Sequence, residues 1–191
     1  MIDLGKLLEE SGAILKGHFE LTSGRHSDVY FEKFRVIELP HVLTALCEEI
    51  ANHMKSMGLQ PKAIAGPTTG GIIIAFELAR QLGLPAIYIE TENGVKTLRR
   101  GKTLPKGHTV FIIDDVLTTG RSIIESQQAI ENAGGTVIGA AALIDRAEKP
   151  LEVSYPLISA YKVAATSYAP DEVPEWLKAI PVTKPGTRAT T

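Results

Sequence analysis

The sequence predicts an α/β fold: a largely parallel sheet of about five strands flanked by helices, with a small N-terminal hood. Short apolar segments typical of buried strands alternate with longer segments of helical apolar spacing. Glycine-containing loops follow two of the apolar segments, as expected where a strand turns into a helix. The 191 residues, 44% of them hydrophobic, suffice for one buried core without stabilising disulfides. We expect one domain over residues 1–191, with a hood of about 1–36 plus the C-terminal segment and a core of about 41–165.

The elements follow in chain order. A short amphipathic helix is predicted for residues 2–12, a hairpin for 17–34 and a helix for 41–57. Further strands are predicted at 63–65, 86–89, 109–113, 137–144 and 157–163, and further helices at 72–82 and 120–133. The polar stretch 90–107 carries five basic residues without apolar periodicity, and we expect a long loop or flexible hairpin that acts as a lid. Trp176 is expected to pack the C-terminal segment onto the core.

Composition excludes several classes of protein. A net charge of −2 gives no overall attraction to nucleic acid or to an anionic membrane. The single cysteine, Cys47, excludes an internal disulfide framework and any multi-cysteine metal site, and its apolar neighbours predict a buried side chain. The apolar runs are shorter than the roughly 18 residues of a membrane helix. The N-terminus lacks a signal-peptide pattern, so we expect a cytoplasmic protein.

The segment 110–122, VFIIDDVLTTGRS, joins a predicted buried strand to a predicted helix. Asp114 and Asp115 end the strand, which is where open α/β sheets bind ligands. Neighbouring carboxylates can accept hydrogen bonds from the vicinal hydroxyls of a ribose. Backbone N–H groups at the start of a helix bind phosphate, and hydroxyl side chains add to such a cradle. The hydroxyl side chains available here are those of Thr118, Thr119 and Ser122. This order of residues favours a ribose 5-phosphate pocket over an aspartate pair that only caps a helix.

The glycine-rich loop 66–71, GPTTGG, lies between a predicted strand and a predicted helix. Glycines let the backbone approach a ligand closely, and successive N–H groups can hold a second anion. A tight strand-to-helix turn without any ligand would use the same glycines. The loop by itself does not decide between these two interpretations.

The segment 110–122 resembles the phosphoribosyl pyrophosphate (PRPP) motif of the type I phosphoribosyltransferases. It is not a Walker A loop, because no Gly-Lys-Ser/Thr follows the glycine. Segment 21–31, LTSGRHSDVYF, resembles the Ser-Gly-Arg-x-Ser-x-x-Tyr stretch of the orotate-specific branch, and 142–146, ALIDR, resembles its strand that ends in Asp-Arg. These segments occur in the family's order, and the tail at 180–188 is also similar to it. The chain is identified as a member of the orotate phosphoribosyltransferase family.

The resemblance implies transfer of ribose 5-phosphate from PRPP to N1 of orotate, giving orotidine 5′-monophosphate and pyrophosphate in pyrimidine synthesis. It also implies a homodimer and a Mg²⁺ cofactor held mainly by substrate oxygens, with Asp114 or Asp115 as candidate ligands. The expected PRPP-binding residues are Thr68, Thr69, Gly70, Lys96, Lys102, Asp114, Asp115, Val116, Leu117, Thr118, Thr119, Gly120, Arg121 and Ser122. The expected orotate-binding residues are Ser23, Gly24, Arg25, Thr118 and Arg146, since a guanidinium suits an anionic planar base.

The expected catalytic residues are Asp114 and Asp115, which stabilise charge at the sugar, and the lid arginines Arg99 and Arg100. A closing lid would neutralise the departing pyrophosphate and exclude water.

The sequence departs from the best-known family pattern at three places. Thr22 and Gly70 stand where lysines are frequent, and the lid lacks Lys-x-x-His-Gly. Which lid residue is catalytic therefore stays open, with Arg99 or Arg100 favoured over Lys102.

Two alternatives remain at this level. A phosphoribosyltransferase for a purine would share the phosphate site but not the hood segment or Arg146. A non-catalytic regulator that senses PRPP would explain the missing lysines. Such regulators usually carry a DNA-binding module, for which about sixteen residues before the hood are too few, and the negative net charge does not suit DNA.

Overall fold

Two β-sheets organise the protein, a computed structural model of which describes residues 2–21, 23–98, 102–163 and 166–185. The larger sheet consists of β3 (Ala63–Pro67), β4 (Ala86–Glu92), β5 (Val95–Leu98), β6 (His108–Leu117), β7 (Gly135–Asp145) and β8 (Leu157–Lys162). The smaller sheet consists of β1 (Ile14–Glu20), β2 (His26–Phe31), β9 (Ser167–Tyr168) and β10 (Val182–Thr183). The helices are α1 (Leu4–Glu10), α2 (Lys33–Glu38), α3 (Pro40–Ser56), α4 (Gly70–Leu82), α5 (Arg121–Asn132) and α6 (Glu175–Lys178).

The larger sheet has the strand order β5-β4-β3-β6-β7-β8. All its neighbouring strands run parallel except β5, which pairs antiparallel with β4. In β6 the residues 110–114 are all buried, as expected for a strand covered on both faces. Parallel strands point their carboxyl ends to the same edge, so the loops after β3, β6 and β7 emerge side by side.

Helices cover both faces of this sheet. Buried residues of α3 and α4, including Leu46, Ile50 and Ile74, pack with Phe111 and Ile113 in one apolar cluster. On the other face Ile123 and Ile130 of α5 pack with Ile112 of β6 and Ile87 of β4. Alternation along β6 therefore sends Phe111 and Ile113 to one side and Ile112 to the other. The sheet is the middle layer of a three-layer α/β architecture.

The smaller sheet joins the two ends of the chain. β1 and β2 form an antiparallel pair, while β10 adds parallel to β1 and β9 adds antiparallel to β2. His18 is buried at this junction, with Nδ1 3.1 Å from the Ile180 carbonyl oxygen and Nε2 2.7 Å from Nδ1 of His26. The N-terminal hairpin is thus completed by residues about 140–160 positions further along, as the pairings Ser27↔Ser167 and His18↔Val182 show.

The predicted fold class is confirmed, with three differences in detail. The stretch 90–107 contributes a sixth strand, β5, because Asn93 and Gly94 form a turn with positive φ (51° and 81°) that returns the chain antiparallel to β4. This is the geometry of a two-residue type I′ hairpin, for which Asn-Gly is the preferred sequence. The first turn of α4 begins at Gly70, two residues before the prediction. The prediction for Trp176 is wrong: its side chain is 54% exposed, and the neighbouring Leu177 is buried instead.

Two other properties bear on the class of protein. No helix within the described ranges has the length and apolar character needed to cross a lipid bilayer. Cys47 is a free, buried thiol, as predicted, and burial raises its pKa to about 12. A thiol with so high a pKa is a poor nucleophile at neutral pH, so Cys47 acts as a small apolar core residue.

Glu77 connects α4 to α3. Its Oε1 accepts hydrogen bonds from Thr44 Oγ1 (2.9 Å) and Gln81 Nε2 (2.7 Å), and the Arg80 guanidinium pairs with both carboxylate oxygens. The hydrogen bonds from Arg80, together with those from Gln81 and Thr44, lower the pKa of Glu77 to about 2 despite partial desolvation. The carboxylate form is therefore favoured in the folded state.

We expect Glu77→Gln to reduce the free energy of unfolding at pH 7 by about 2 kcal/mol, because several hydrogen bonds to a charged group are weakened. The folded-state pKa is below the unfolded one, so this stabilisation is complete above pH 4.5 and is lost as the pH falls toward 2. Urea unfolding of both proteins at several pH values measures the difference. A difference that stays constant from pH 6 to pH 2.5 would contradict the role of the charge.

Candidate functional site

The candidate site lies where the loops after β3, β6 and β7 emerge from the larger sheet. β6 lies between β3 and β7, with pairings such as Ala65↔Ile112 and Asp114↔Ala142. This order brings the glycine-rich loop 66–71, the segment 114–122 and the residues after Asp145 to one edge. The three most informative segments of the sequence therefore meet in space.

A phosphate-sized cradle forms between β6 and α5. Gly120 has a φ of 75° and directly precedes the helix, and a Cβ at this position would collide with the side chain of Leu151. The turn therefore requires glycine. The first turn of α5 lines a cavity of about 390 Å³. Most of the predicted PRPP-binding residues line it: Thr68, Lys96, Asp114, Val116, Leu117, Thr118, Thr119, Gly120, Arg121 and Ser122.

Lys96 of β5 contacts the first turns of α5, next to this cradle. Its ammonium donates hydrogen bonds to the carbonyl and hydroxyl oxygens of Ser122 (2.9 and 2.6 Å) and to the hydroxyl of Ser126 (3.3 Å). Burial lowers the pKa of Lys96, while attraction to Asp114 and Glu125 opposes that shift. A buried cation thus lies directly below the backbone that we expect to hold a phosphate.

The two aspartates face different neighbours. Burial raises the pKa of Asp114, against a hydrogen bond from Ser122 and the charge of Lys96. Asp115 points to the opposite face of the sheet. Its Oδ2 lies 2.8 Å from the ammonium of Lys33, and its Oδ1 accepts a hydrogen bond from the N–H of Val116. Successive residues of a strand point to opposite faces, which explains the separation. A ribose above the end of β6 would lie between the two carboxylates.

The loop 66–71 is packed tightly against itself. A Cβ on Gly66 would overlap the carbonyl of Gly71, and a Cβ on Gly71 would lie 2.6 Å from the ring of Pro67. At Gly70, the first residue of α4, a Cβ would lie 2.9 Å from Ile37 and 3.1 Å from Asp115 Oδ2. Close packing thus accounts for the glycines of the turn.

A larger cleft of about 680 Å³ adjoins the cradle. Its lining residues are Leu21, Ser23, Arg25, Ser27, Thr118, Thr119, Arg146, Glu148, Lys149, Pro150, Leu151 and Ser167. Thr118 and Thr119 line both cavities, so the two lie next to each other. Arg146 is held by its backbone N–H, which donates to the Leu117 carbonyl (2.8 Å). Burial lowers the pKa of Arg146, and Tyr30 opposes that shift.

The hood forms one wall of this cleft. Arg25 donates from Nε to Ser167 Oγ (2.9 Å) and from Nη2 to the Ser167 carbonyl (2.6 Å). The Ser167 hydroxyl donates in turn to Glu148 (2.8 Å). Arg25 and Arg146 therefore line the same cleft, from the hood and from the end of β7.

Not all predicted residues come together. Arg99 and Arg100 lie outside the described residues, as does Thr22. Lys102 is exposed and is not among the residues that line either cavity. Gly24 forms the turn between Ser23 and Arg25 with a φ of 77° and does not line the cleft itself, and Thr69 precedes α4.

Several polar residues of this region were not predicted from the sequence, among them Lys33, Glu148 and Ser167. Lys33 contacts Asp115, while Glu148 and Ser167 form part of the cleft wall. Glu148 comes two residues after Arg146 in the chain, and this closeness could have placed it among the predicted site residues. No motif near Lys33 or Ser167 in the sequence indicates a role at the site, because both reach it through contacts with distant residues.

The comparisons with known proteins agree with this geometry. The family model of the phosphoribosyl transferase domain matches residues 38–172. An orotate phosphoribosyltransferase of Pelotomaculum thermopropionicum is 40% identical over 95% of both chains, and one of Maricaulis maris is 42% identical over 93% of this chain and 92% of its own. The crystal structure of an orotate phosphoribosyltransferase from Aeropyrum pernix superimposes with a TM-score of 0.72 at 30% identity, covering 84% of this chain and 93% of that one. The chain therefore belongs to the phosphoribosyltransferase family, and within it to the orotate phosphoribosyltransferases.

Proposed function

We propose that this protein transfers the ribose 5-phosphate group from PRPP to N1 of orotate, releasing pyrophosphate and orotidine 5′-monophosphate in pyrimidine synthesis. One observation carries the proposal: the cradle at the start of α5 adjoins, at Thr118 and Thr119, a cleft that Arg25 and Arg146 line. A sugar phosphate and an anionic planar base can thus be bound side by side. The named relatives support orotate as that base.

In this proposal the N–H groups and hydroxyls of residues 118–122 hold the 5′-phosphate, with Lys96 beneath them. Asp114 and Asp115 accept hydrogen bonds from the ribose hydroxyls, and their negative charge stabilises the positive charge that develops on the sugar. The loop 66–71 offers its backbone to the pyrophosphate. Arg99 or Arg100 of the lid neutralises the leaving pyrophosphate and helps to exclude water.

The reaction breaks the bond between C1 of the ribose and the pyrophosphate oxygen and forms a bond from C1 to N1 of orotate. The electron pair of the broken bond leaves with pyrophosphate, N1 of orotate supplies the pair for the new bond, and the proton carried by N1 passes to a pyrophosphate oxygen or to water. No side chain needs to act as a nucleophile. The protein contributes by positioning the two substrates and by stabilising charge.

Arg146 orients orotate through charge-assisted hydrogen bonds to its oxygens, together with the Thr118 hydroxyl. Arg25, with Ser23 and Gly24, closes the hood side of the cleft. Partial burial of the Arg146 guanidinium strengthens such bonds, because less water competes for its donors.

Mg²⁺ is the proposed cofactor, and the residues present fit it. In the described ranges no group of three or more His, Cys, Asp and Glu side chains lies close enough together to hold a metal ion. Asp114 and Asp115 point to opposite faces of the sheet, so at most one of them would contact the ion, which suits a cation held largely by substrate oxygens and water, as Mg²⁺ prefers. Asp114 or Asp115 would supply the protein ligand, and the ion would neutralise pyrophosphate oxygens.

We also propose a homodimer in which the lid of one subunit reaches toward the site of the other. An apolar patch supports an interface: Phe76 is 64% exposed, Ile73 of the same helix face is 45% exposed, and Tyr88 of β4 is 39% exposed. Tyr88 alternates with the buried Ile87 and Ile89 and so points to the face of the sheet on which α4 lies. Such a contiguous apolar patch is typical of a protein interface.

A cytoplasmic location is part of the proposal. Its support is the free thiol of Cys47 as the only cysteine of the chain, which suits a reducing compartment.

The first test is an activity assay. Purified protein with Mg²⁺ and PRPP should consume orotate, measured by its ultraviolet absorbance, and consumption should stop when either is omitted. Adenine, hypoxanthine and uracil are run in parallel. Product from another base instead of orotate would contradict the assignment of the base, and PRPP binding without turnover of any base would favour a regulator.

We expect Arg146→Ala to raise the KM for orotate about tenfold or more, because a charge-assisted contact to the base is lost. The KM for PRPP should change less than about twofold. Steady-state kinetics with each substrate varied in turn gives both values, and Arg146→Lys tests whether charge alone suffices. Equal increases in the two KM values would remove Arg146 from the base site.

We expect Phe76→Glu to convert the dimer to monomers, because a charge in the proposed interface would be buried without a partner. Met57→Glu, at an exposed position just after α3, is the matched control and should stay dimeric. Sedimentation equilibrium measures both masses. A monomeric native protein, or a Phe76→Glu variant that remains dimeric, would contradict this interface.

A further inference from the structure

Lys33 brings a positive charge to the candidate site from outside the sheet that builds it. It is the first residue of α2, directly after the hood hairpin, and its ammonium lies 2.8 Å from Asp115 Oδ2. Its side chain remains 44% exposed, so the lysine is not enclosed by the pair with Asp115. The same ammonium lies 5.6 Å from the centre of the Phe34 ring, which adds a weak cation–π contact.

The pair between Lys33 and Asp115 orients the carboxylate. The Oδ1 atom of Asp115 accepts the N–H of Val116 at 2.8 Å, and Oδ2 is bound by Lys33. Both oxygens are therefore engaged before any substrate binds. A carboxylate oxygen can accept more than one hydrogen bond, so a hydroxyl can join without displacing the lysine.

The second observation is that Asp115 Oδ2, the atom that Lys33 contacts, lies beside Gly70. Loop 66–71 contains no charged residue, and a side chain at Gly70 would meet Ile37 and the same Oδ2 of Asp115 that Lys33 contacts. A cation at the start of α4 must therefore come from another element. Lys33 supplies it from α2.

The distribution of charge at the end of β6 is the third observation. Two adjacent carboxylates would repel an anionic substrate, and each of them faces a lysine from a different element. Asp114 is attracted to Lys96 of β5 on the α5 side, while Asp115 is paired with Lys33 of α2 on the α4 side. The lysines neutralise the pair from opposite faces of the sheet.

We propose that Lys33 is a positioning residue of the transfer reaction: it holds Asp115 toward the ribose hydroxyls and neutralises that carboxylate so that PRPP can bind. This inference rests on the proposed function for the identity of the ligand. Lys33 acts through Asp115, so its contribution depends on the carboxylate being present.

The test is a double-mutant cycle on PRPP affinity. Calorimetric titration of PRPP with Mg²⁺, without orotate, is carried out on the native protein, Lys33→Met, Asp115→Asn and the double variant. We expect Lys33→Met to weaken PRPP binding about tenfold in the native background and less than about twofold in the Asp115→Asn background. Lys33→Arg should restore most of the affinity, because it keeps the charge.

Lys16→Met is the matched control, since Lys16 is also a hood lysine paired with a carboxylate, Glu9, and does not line either cavity. It should bind PRPP like the native protein. Thermal melts of all variants establish that they fold. Equal losses in the two backgrounds, or no loss in Lys33→Met, would overturn the proposal. Native protein that binds PRPP but does not consume orotate would refute the proposed function and leave this test intact.

Discussion

The parallel pairing of β6 with β3 on one side and β7 on the other determines which parts of the chain meet at the site. The three strands are adjacent in space, and their carboxyl ends share one edge, so the loops 66–71, 114–122 and 145–151 converge. β6 can occupy this central place because its residues 110–113 are apolar and buried on both faces, and its two aspartates come directly after them. A slip in its register would displace the aspartates from the start of α5, so core packing and the geometry of the site are coupled.

The charges that balance the two aspartates come from different elements of the fold. Burial disfavours the charged form of Asp114, and Ser122 and Lys96 oppose this effect from α5 and β5. Asp115 lies on the other face and is paired with Lys33 of α2. Neither lysine belongs to the segment that provides the carboxylates. The charge balance of the site therefore forms only when the β4–β5 hairpin and the hood have both packed onto the central sheet.

The phosphate side and the base side of the cleft depend on the fold in different ways. The cradle at 118–122 is local: Gly120 sets the turn, and the N–H groups at the start of α5 follow from the helix itself. The base side needs distant partners, because Arg25 of the hood is bound by Ser167, which β9 brings alongside β2. A family can therefore keep the cradle while the hood and the C-terminal segment change the base that is accepted.

The fold class, the elements of the larger sheet other than β5, and the strand-to-helix segment 110–122 were predictable from the sequence, because each depends on periodicity or on neighbouring residues. The short elements α2, β9, α6 and β10 were not predicted. The sequence did not determine that 95–98 would pair as a strand, although Asn93-Gly94 was a usable signal. Only the tertiary structure decided that Leu177 rather than Trp176 would be buried, that Arg25 would bind Ser167, and that Lys33 would reach an aspartate 82 residues away. Local patterns encode backbone geometry, whereas contacts between distant residues follow from how the hood, the hairpin and the sheet pack together.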